Sequence, residues 1–319
     1  MAPLDPQCAQ AVALLKARWH DGAMTVAAAR AFEAETYTLV NRDDPPVGWR
    51  DVEVPAGDGA RIGCRVYDPP PAAAPGGVLF WFHGGGFVLG SLEVCAFQAA
   101  TLAVQSGCVV VAVDYRRAPE HPFPAAAEDC YAVVRWAAAH RDALGLPRDV
   151  PLAVAGDSAG GNLAAVVALL ARDRGGPGLA FQLLAYPMID RHVVTASRAE
   201  HADGWPSLAG AAWLWDLYLQ RSTDAADPRA SPLAAPTLRG LPPAFVMTAE
   251  HDLLRDEGEL YAMHLRDSCV PVRLQRYDGL LHGFLGLARI VDRAHDGLRD
   301  AGAAVREAVA TAAPVSASR

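Results

Sequence analysis

The fold is decided by the stretch Leu152-Ala153-Val154-Ala155-Gly156-Asp157-Ser158-Ala159-Gly160-Gly161-Asn162. A short apolar run ends at Ala155 and a stretch with helical periodicity begins after the glycines, so the chain turns from a strand into a helix around Ser158. The turn is so tight that side chains two residues either side of the serine would collide, and both positions are glycine. We expect a strained backbone that projects the Ser158 hydroxyl clear of the sheet, which is typical of a nucleophile. A chance pentapeptide in a chain rich in Gly and Ala is the alternative, but it does not explain the strand and helix around it.

Short apolar runs recur on both sides of this turn, and longer segments with helical periodicity separate most of them. The apolar runs occupy residues 78–82, 109–113, 152–155, 181–185, 244–247 and 272–275. Helical periodicity is clear at 125–144 and 162–171, and alternating apolar residues around a Gly-Asp-Gly turn predict a β-hairpin over 50–66. Together they predict an α/β fold in which helices flank both faces of a mostly parallel central sheet.

Residues 188–242 break this alternation of strands and helices. They contain Trp205, Trp213 and Trp215, together with several prolines, and they have no strand-like run. We expect a helical insertion that folds over the sheet. Tryptophans in such an insertion are candidates for the wall of a substrate pocket, although buried tryptophan is more often part of a core.

The composition restricts the class of protein. The 319 residues carry a formal net charge of −8 with both signs interspersed, which disfavours nucleic-acid binding. No run of about 18 apolar residues is present to span a membrane, and the N-terminus does not resemble a secretion signal. The six cysteines form no CxxC pair, so we expect buried thiols in a reducing cytoplasm, with neither a disulfide framework nor a zinc site.

A glycine-rich loop follows the apolar run at 78–82 and has the sequence His83-Gly84-Gly85-Gly86-Phe87. Acyl transfer passes through a tetrahedral oxyanion, which must be met by hydrogen-bond donors placed in advance. Glycines let the backbone fold with its N–H groups converging, so the N–H groups of Gly84, Gly85 and Ala159 are the expected donors. We expect His83 and Gly86 to hold the loop in shape. A phosphate-binding loop is the alternative, but neither the dinucleotide-binding nor the P-loop pattern fits these residues.

The general base must follow the serine, because the order along the chain in serine α/β-hydrolases is serine, acid, histidine. Four histidines follow Ser158 at a useful distance: His251, His264, His282 and His295. The second and fourth lie in helical stretches, whereas His282 lies in a glycine-flanked loop after the apolar run at 272–275. A loop at the carboxyl end of a strand lets an imidazole reach over the sheet, so His282 is the predicted base.

Four acidic residues follow the apolar run at 244–247: Glu250, Asp252, Asp256 and Glu257. The acid must accept the Nδ1–H of the base and stabilise the imidazolium. The last two fall in the first turn of a predicted helix, where acidic side chains commonly stabilise the helix dipole. Asp252 is therefore the predicted acid, and Glu250 is the alternative. A metal site in this cluster is disfavoured, because no HExxH sequence or histidine pair at ligand spacing accompanies it.

In this order the motifs resemble the hormone-sensitive-lipase-like family of α/β-hydrolases, and the resemblance runs from about residue 50 to the C-terminus. The family's catalytic triad maps onto Ser158, Asp252 and His282, and its oxyanion donors map onto the three predicted above. Arg117 and Leu253 stand where the family often has Leu and Pro. The resemblance rests on five segments: residues 83–87, 114–122, 156–162, 252–258 and 282–284.

The resemblance implies a serine carboxylesterase that acts on small short- to medium-chain esters without a cofactor. It implies a helical cap of residues 1–48 and 188–242 over a catalytic core of residues 49–187 and 243–319, and it is compatible with a homodimer. Phe87, Trp205, Trp213 and Trp215 are then candidates for the substrate pocket. Two alternatives stay open. The same triad could serve a deacetylase, amidase or lyase of a dedicated metabolite, or the chain could be a binding protein like the plant gibberellin receptor, which the presence of His282 disfavours.

Overall fold

The computed structural model describes residues 2–17, 25–40, 45–70 and 76–312, which are organised around an eight-stranded sheet with the order β1-β2-β4-β3-β5-β6-β7-β8. Strand β2 pairs antiparallel with β1 and with β4, and every other pairing in this sheet is parallel. The α/β fold with a mostly parallel sheet is therefore confirmed. The strands are β1 (Trp49–Pro55), β2 (Arg61–Tyr67), β3 (Val78–Phe82), β4 (Val109–Asp114), β5 (Leu152–Asp157), β6 (Phe181–Ala185), β7 (Ala244–His251) and β8 (Val272–Leu281).

Helices cover both faces of the sheet. Side chains of β3 alternate between two buried clusters, with Phe80 entering one and Leu79 and Trp81 entering the other. This burial on both faces explains why the strand is apolar throughout. The first cluster lies under α4, α5 and α8, and the second lies under α3 and α9. The α-helices are α1 (Pro6–Lys16), α2 (Val26–Val40), α3 (Ala96–Ser106), α4 (Ala125–Ala139), α5 (Ala159–Asp173), α6 (Ala196–Glu200), α7 (Leu208–Tyr218), α8 (Arg255–Asp267) and α9 (Ala294–Thr311).

The sheet reverses its winding direction between β3 and β5. Strand β3 lies between β4 and β5. The chain continues from β3 to β4 on one side of this point and from β5 to β6 on the other side. In open α/β folds the loops on the two sides of such a reversal diverge at the carboxyl edge of the sheet and leave a crevice in which ligands bind. The glycine-rich loop follows β3 and Ser158 follows β5, so both predicted motifs border this crevice.

Strands β7 and β8 are longer than the sequence predicted. They continue past residues 247 and 275 to residues 251 and 281, and Thr248 pairs with Arg276 in the added part. The predicted ends are wrong because backbone pairing between strands does not require apolar side chains. As a result Glu250 lies within β7 and not in the loop after it.

The insertion at residues 188–242 contains α6, α7 and two short 3₁₀ turns, and none of its residues, all of which are described, lies in a strand. Helix α7 covers the glycine-rich loop, since a Cβ on Gly86 would lie 2.8 Å from the Cβ of Leu214. Helix α2 also reaches this region, where Glu33 accepts the Gly90 N–H at 2.7 Å. The division into cap and core stays a prediction. Residues 1, 18–24 and 41–44 of the predicted cap, and residues 71–75 and 313–319 of the predicted core, lie outside the described residues.

Five of the six cysteines are buried free thiols, as predicted, but Cys269 is exposed. Cys269 lies in the short turn between α8 and β8, with a φ of 61°, and this turn reaches the surface. The prediction of burial is wrong for Cys269, because the apolar pattern of the sequence does not show where α8 ends and β8 begins and so does not reveal the turn between them. Across the described ranges, no helix has the length and apolar character needed to cross a membrane.

Candidate active site

The serine turn has the geometry that its glycines predict. Ser158 lies between the end of β5 and the start of α5, with φ 54° and ψ −118°. A Cβ on Gly156 would lie 2.6 Å from the carbonyl oxygen of Phe82, and one on Gly160 would lie 2.6 Å from that of His83. Any larger residue at either position would therefore collide with backbone that cannot move away. The predicted need for both glycines is confirmed.

Ser158, His282 and Asp252 form one chain of hydrogen bonds. The Ser158 hydroxyl donates to Nε2 of His282 at 2.9 Å, and Nδ1–H of His282 donates to Oδ2 of Asp252 at 2.7 Å. The second Asp252 oxygen accepts the Leu254 N–H at 2.8 Å, which fixes the carboxylate plane. The fold thus brings together residues from the ends of β5, β7 and β8, and these are the three that the sequence predicted.

His282 is held in the tautomer that a general base needs. Its hydrogen bond to Asp252 assigns the proton to Nδ1 and leaves the Nε2 lone pair facing the serine. Burial of the ring opposes protonation, but the Asp252 carboxylate outweighs it and raises the pKa of His282 above its usual value. The edge of the Tyr186 ring packs on the imidazole, with centroids 4.9 Å apart, and limits its rotation.

The backbone N–H groups of the glycine-rich loop that lack a hydrogen-bond partner are only in part the ones that the sequence predicted. The Gly84 N–H donates to Oδ1 of Asp157 at 2.8 Å, so the prediction that it faces an oxyanion is wrong. Among the described residues, the N–H groups of Gly85, Gly86 and Ala159 have no hydrogen-bond partner. Gly85 and Gly86 have φ values of 104° and 60°, a conformation that glycine adopts at no steric cost.

Comparison with known proteins finds related hydrolases. The family model of the α/β hydrolase fold matches residues 79–286. Esterase LipI of Mycobacterium tuberculosis is 42% identical over 247 residues, which cover 76% of each protein. The ethyl acetate hydrolase of Pseudomonas putida is 35% identical over 276 residues, which cover 85% of this chain and 86% of that protein. The solved structure of a hyperthermophilic esterase from Pyrobaculum calidifontis superposes with a TM-score of 0.89 at 38% identity, over 96% of this chain and 98% of that one.

The chain belongs to the hormone-sensitive-lipase-like family of α/β-hydrolases. It is a carboxylic ester hydrolase.

Asp252, and not Glu250, is the carboxylate that faces the imidazole of the hydrolase. Glu250 is buried and accepts two backbone N–H groups, from Ala2 at 2.8 Å and from Gly279 at 2.8 Å. Both of its carboxylate oxygens are therefore engaged by backbone N–H groups and not by His282. The neighbouring acidic residues do not form a metal centre either, since no three His, Cys, Asp or Glu side chains converge on one point within the described ranges.

His83 packs beneath the glycine-rich loop of the hydrolase. Its Nδ1–H donates to the Gly84 carbonyl at 2.7 Å, and its ring stacks on Tyr115 with centroids 4.2 Å apart. Burial lowers the pKa of His83 to about 4, so the ring stays neutral. The Tyr115 hydroxyl donates to the His83 carbonyl at 2.8 Å. These contacts are those of a residue that supports the loop, and the Ser158 hydroxyl hydrogen-bonds to His282 instead.

The predicted pocket residues divide into two pairs. Phe87 is 0% exposed and stacks on Tyr218 at 3.9 Å, and Trp215 is 2% exposed and packs on the same Phe87 ring at 5.2 Å. These two side chains fill the contact between α7 and the core, so their prediction as pocket walls is wrong. Trp205 and Trp213 are half-buried, the first beside the ring of Phe32 at 6.3 Å and the second against the core.

Leu214 is the pocket candidate that the sequence reasoning missed. Its side chain lies directly over Gly86, while Trp215 on the next position points into the core. Helical spacing was the available signal, because Ala211, Trp215 and Tyr218 form the buried stripe of α7. A residue next to that stripe faces the glycine-rich loop.

Proposed function

We propose that the protein is a serine carboxylesterase that hydrolyses short- to medium-chain esters, with Ser158 as nucleophile, His282 as base and Asp252 as acid. The observation that carries the proposal is the unbroken hydrogen-bond chain from the Ser158 hydroxyl to the Asp252 carboxylate. The strained turn that holds the serine at the crevice supports it, because it exposes Oγ to a bound ester.

The reaction divides into acylation and deacylation. Ser158 Oγ attacks the ester carbonyl carbon while its proton passes to Nε2 of His282, and the Asp252 carboxylate stabilises the imidazolium. Collapse of the tetrahedral intermediate breaks the bond to the alcohol oxygen, which takes the proton from His282. A water molecule then attacks the acyl-enzyme with His282 as base, and collapse returns the proton to Ser158 and releases the carboxylic acid.

The oxyanion in both steps accepts hydrogen bonds from the N–H groups of Gly85, Gly86 and Ala159. Their freedom from other partners and their position around the serine turn support this assignment, as does the start of α5, whose dipole favours negative charge. Asp157 takes the Gly84 N–H, so its carboxylate positions the loop and keeps that donor out of the hole.

Preference for short acyl chains is proposed from the cap. Leu214 lies over Gly86 and limits the room above the serine. The curated relative named ethyl acetate hydrolase has a two-carbon acyl group in its named substrate, which favours the same reading. The helices of residues 1–48 and 188–242 are proposed as the cap that encloses the substrate.

A labelling experiment tests the proposal directly. A fluorophosphonate that reacts with activated serines should modify one residue, Ser158, and abolish hydrolysis of p-nitrophenyl butyrate in proportion. Activity should survive EDTA, because the triad and the backbone donors supply the chemistry without a Lewis acid. A structure of the adduct should place the phosphonyl oxygen about 3 Å from the N atoms of Gly85, Gly86 and Ala159. A label mapped to another residue, or activity lost to EDTA and restored by zinc, would overturn the assignment.

A further inference from the structure

The pairing of β7 with β8 is interrupted just before the catalytic loops. Ala249 pairs with Tyr277 and His251 pairs with Leu281, so a single residue of β7, Glu250, lies opposite residues 278–280 of β8. The proposed acid and the proposed base each follow their strand by one residue. A bulge of this kind bends the longer strand and redirects the side chains beyond it. The interruption therefore lies directly before both of these loops.

The Glu250 carboxylate fills the gap that the interruption leaves. Its Oε2 accepts the Gly279 N–H at 2.8 Å, which replaces the lost strand hydrogen bond, and its Oε1 accepts the Ala2 N–H at 2.8 Å. The side chain is buried, and although burial opposes ionisation, the two N–H groups hold the pKa of Glu250 below its usual range. The group is thus a fixed anion that joins β7, β8 and the N-terminal segment.

Residues 2–5 lie along the interrupted strands and make the remaining hydrogen bonds. The Asp5 N–H donates to the Gly279 carbonyl at 2.9 Å, and the Ala2 carbonyl accepts Nε2–H of His251 at 3.0 Å. Gly279 has a φ of 73°, and a Cβ there would lie 3.0 Å from the Pro3 carbonyl oxygen. Both backbone groups of Gly279 are therefore satisfied by groups outside the strand ladder, one from Glu250 and one from residue 5.

We propose that Glu250 and residues 2–5 form a brace that sets the separation of the loops carrying Asp252 and His282. Its members are positioning residues for the proposed triad, so the inference rests on the function proposed above. The physical reason is that catalysis tolerates only small displacements of the reacting groups. A catalytic hydrogen bond depends on the placement of both partners, and a displacement of about 1 Å can reduce the rate about 100-fold.

The first experiment replaces Glu250 with Gln in the full chain. The amide keeps one acceptor oxygen, but its NH₂ group must face either the Ala2 or the Gly279 N–H, so one hydrogen bond is lost. We expect kcat to fall between about 10- and 100-fold with KM changed less than about twofold.

The pH profile distinguishes a positioning role of Glu250 from a role in stability alone. The Asp252 carboxylate keeps the pKa of His282 raised, and the other charged groups that act on the ring, Asp157 and Glu257, are unchanged by the substitution. A longer contact to Asp252 should therefore move the acid limb of kcat/KM to lower pH. The matched control is Asp129→Asn, another buried carboxylate that accepts a backbone N–H, from Arg116 at 3.0 Å, and whose hydrogen bonds all go to Arg116 among the described residues. It should lower the melting temperature and leave both kcat and the acid limb in place.

The second experiment tests the N-terminal segment alone. Asp5→Pro removes the N–H that donates to Gly279, and the observed φ of −55° and ψ of 132° suit proline. Asp5 also caps α1 by accepting the Gln7 N–H, and Asp5→Ala removes that cap while keeping the backbone donor. The brace predicts that the proline variant loses several-fold in kcat and shifts the acid limb, while the alanine variant changes only thermal stability.

The two proposals fail in different ways. Unchanged kcat and pH profile in Glu250→Gln and Asp5→Pro, with the wild type still labelled at Ser158, would overturn the brace alone. If Asp5→Pro and Asp5→Ala changed kcat and the pH profile equally, the proposed role of the residue 5 N–H would be overturned. Absence of phosphonate labelling in the wild type would overturn the proposed function itself.

Discussion

Helices α5 and α7 both border the active site and both are rich in apolar residues, but they are buried very differently. Every residue of α5 from 159 to 171 is buried, because this helix lies between the sheet and its neighbours. In α7 only Ala211, Trp215 and Tyr218 are buried, and the remaining apolar side chains are partly accessible. An apolar helix that leaves such surface uncovered usually binds another apolar group. Helix α5 therefore holds the turn of the proposed nucleophile in the core, whereas α7 leaves apolar surface accessible on the side of the proposed cap.

The largest expected effect is on the core side. Ser158→Ala removes the proposed nucleophile and should lower kcat for p-nitrophenyl butyrate by about 10⁶-fold. Circular dichroism and thermal unfolding should stay close to the wild type, since the serine hydroxyl hydrogen-bonds only with His282 among the described residues. Retention of more than a few per cent of the activity would remove Ser158 from the mechanism.

The second effect concerns the acid. Asp252→Asn replaces the acceptor that fixes the His282 tautomer and should lower kcat by about 10⁴-fold. Glu250→Gln should cost no more than about 100-fold, because its effect passes through the brace. If the two substitutions exchanged these effects in a side-by-side measurement of kcat, Glu250 would be the acid.

The third prediction concerns pH. His282 must be neutral to accept the serine proton, so kcat/KM falls as the pH drops below the pKa of this histidine. Asp252 raises that pKa, so the acid limb should lie above the ordinary value of 6.5. Below it the rate should fall about tenfold for each pH unit. The profile is measured with an ester whose leaving group does not titrate in this range, and a limb centred below pH 6 would contradict the Asp252 contact.

The smallest effect is on the cap side. With a closed wall above the serine, kcat/KM should peak near butanoyl or hexanoyl esters and fall steeply by dodecanoyl, because each further methylene then clashes. Leu214→Ala should move the peak to longer chains, with a gain of about fourfold for each methylene newly accommodated. A profile that keeps rising to palmitoyl esters would show an open cap.

Trp215→Ala is the control for that substitution. This side chain packs on Phe87 in the core and should cost about 3–5 kcal/mol of unfolding free energy when truncated. Its acyl-length profile should keep the wild-type maximum. A shift of the maximum in Trp215→Ala, with none in Leu214→Ala, would reverse the assignment of the pocket wall.

The sequence by itself determined the local features of this esterase. The motif around Ser158 already indicated that Gly156 and Gly160 must be glycine, and the buried strands follow from continuous apolar runs. The order of serine, acid and histidine along the chain then led to His282 and favoured Asp252. These inferences depend on neighbours in sequence or on chain order, although the backbone of Phe82 and His83 that crowds the two glycines is identified only by the structure.

Only the tertiary structure decided between groups that look alike in sequence. Glu250 and Asp252 are two residues apart, yet one faces Gly279 and the other faces His282, because β7 continues further than its apolar run. The Gly84 N–H is taken by a carboxylate 73 residues away, and Leu214 lies over Gly86 whereas its neighbour Trp215 packs on the buried Phe87 ring. Each of these outcomes depends on which distant elements pack together, and local periodicity carries no information about that packing.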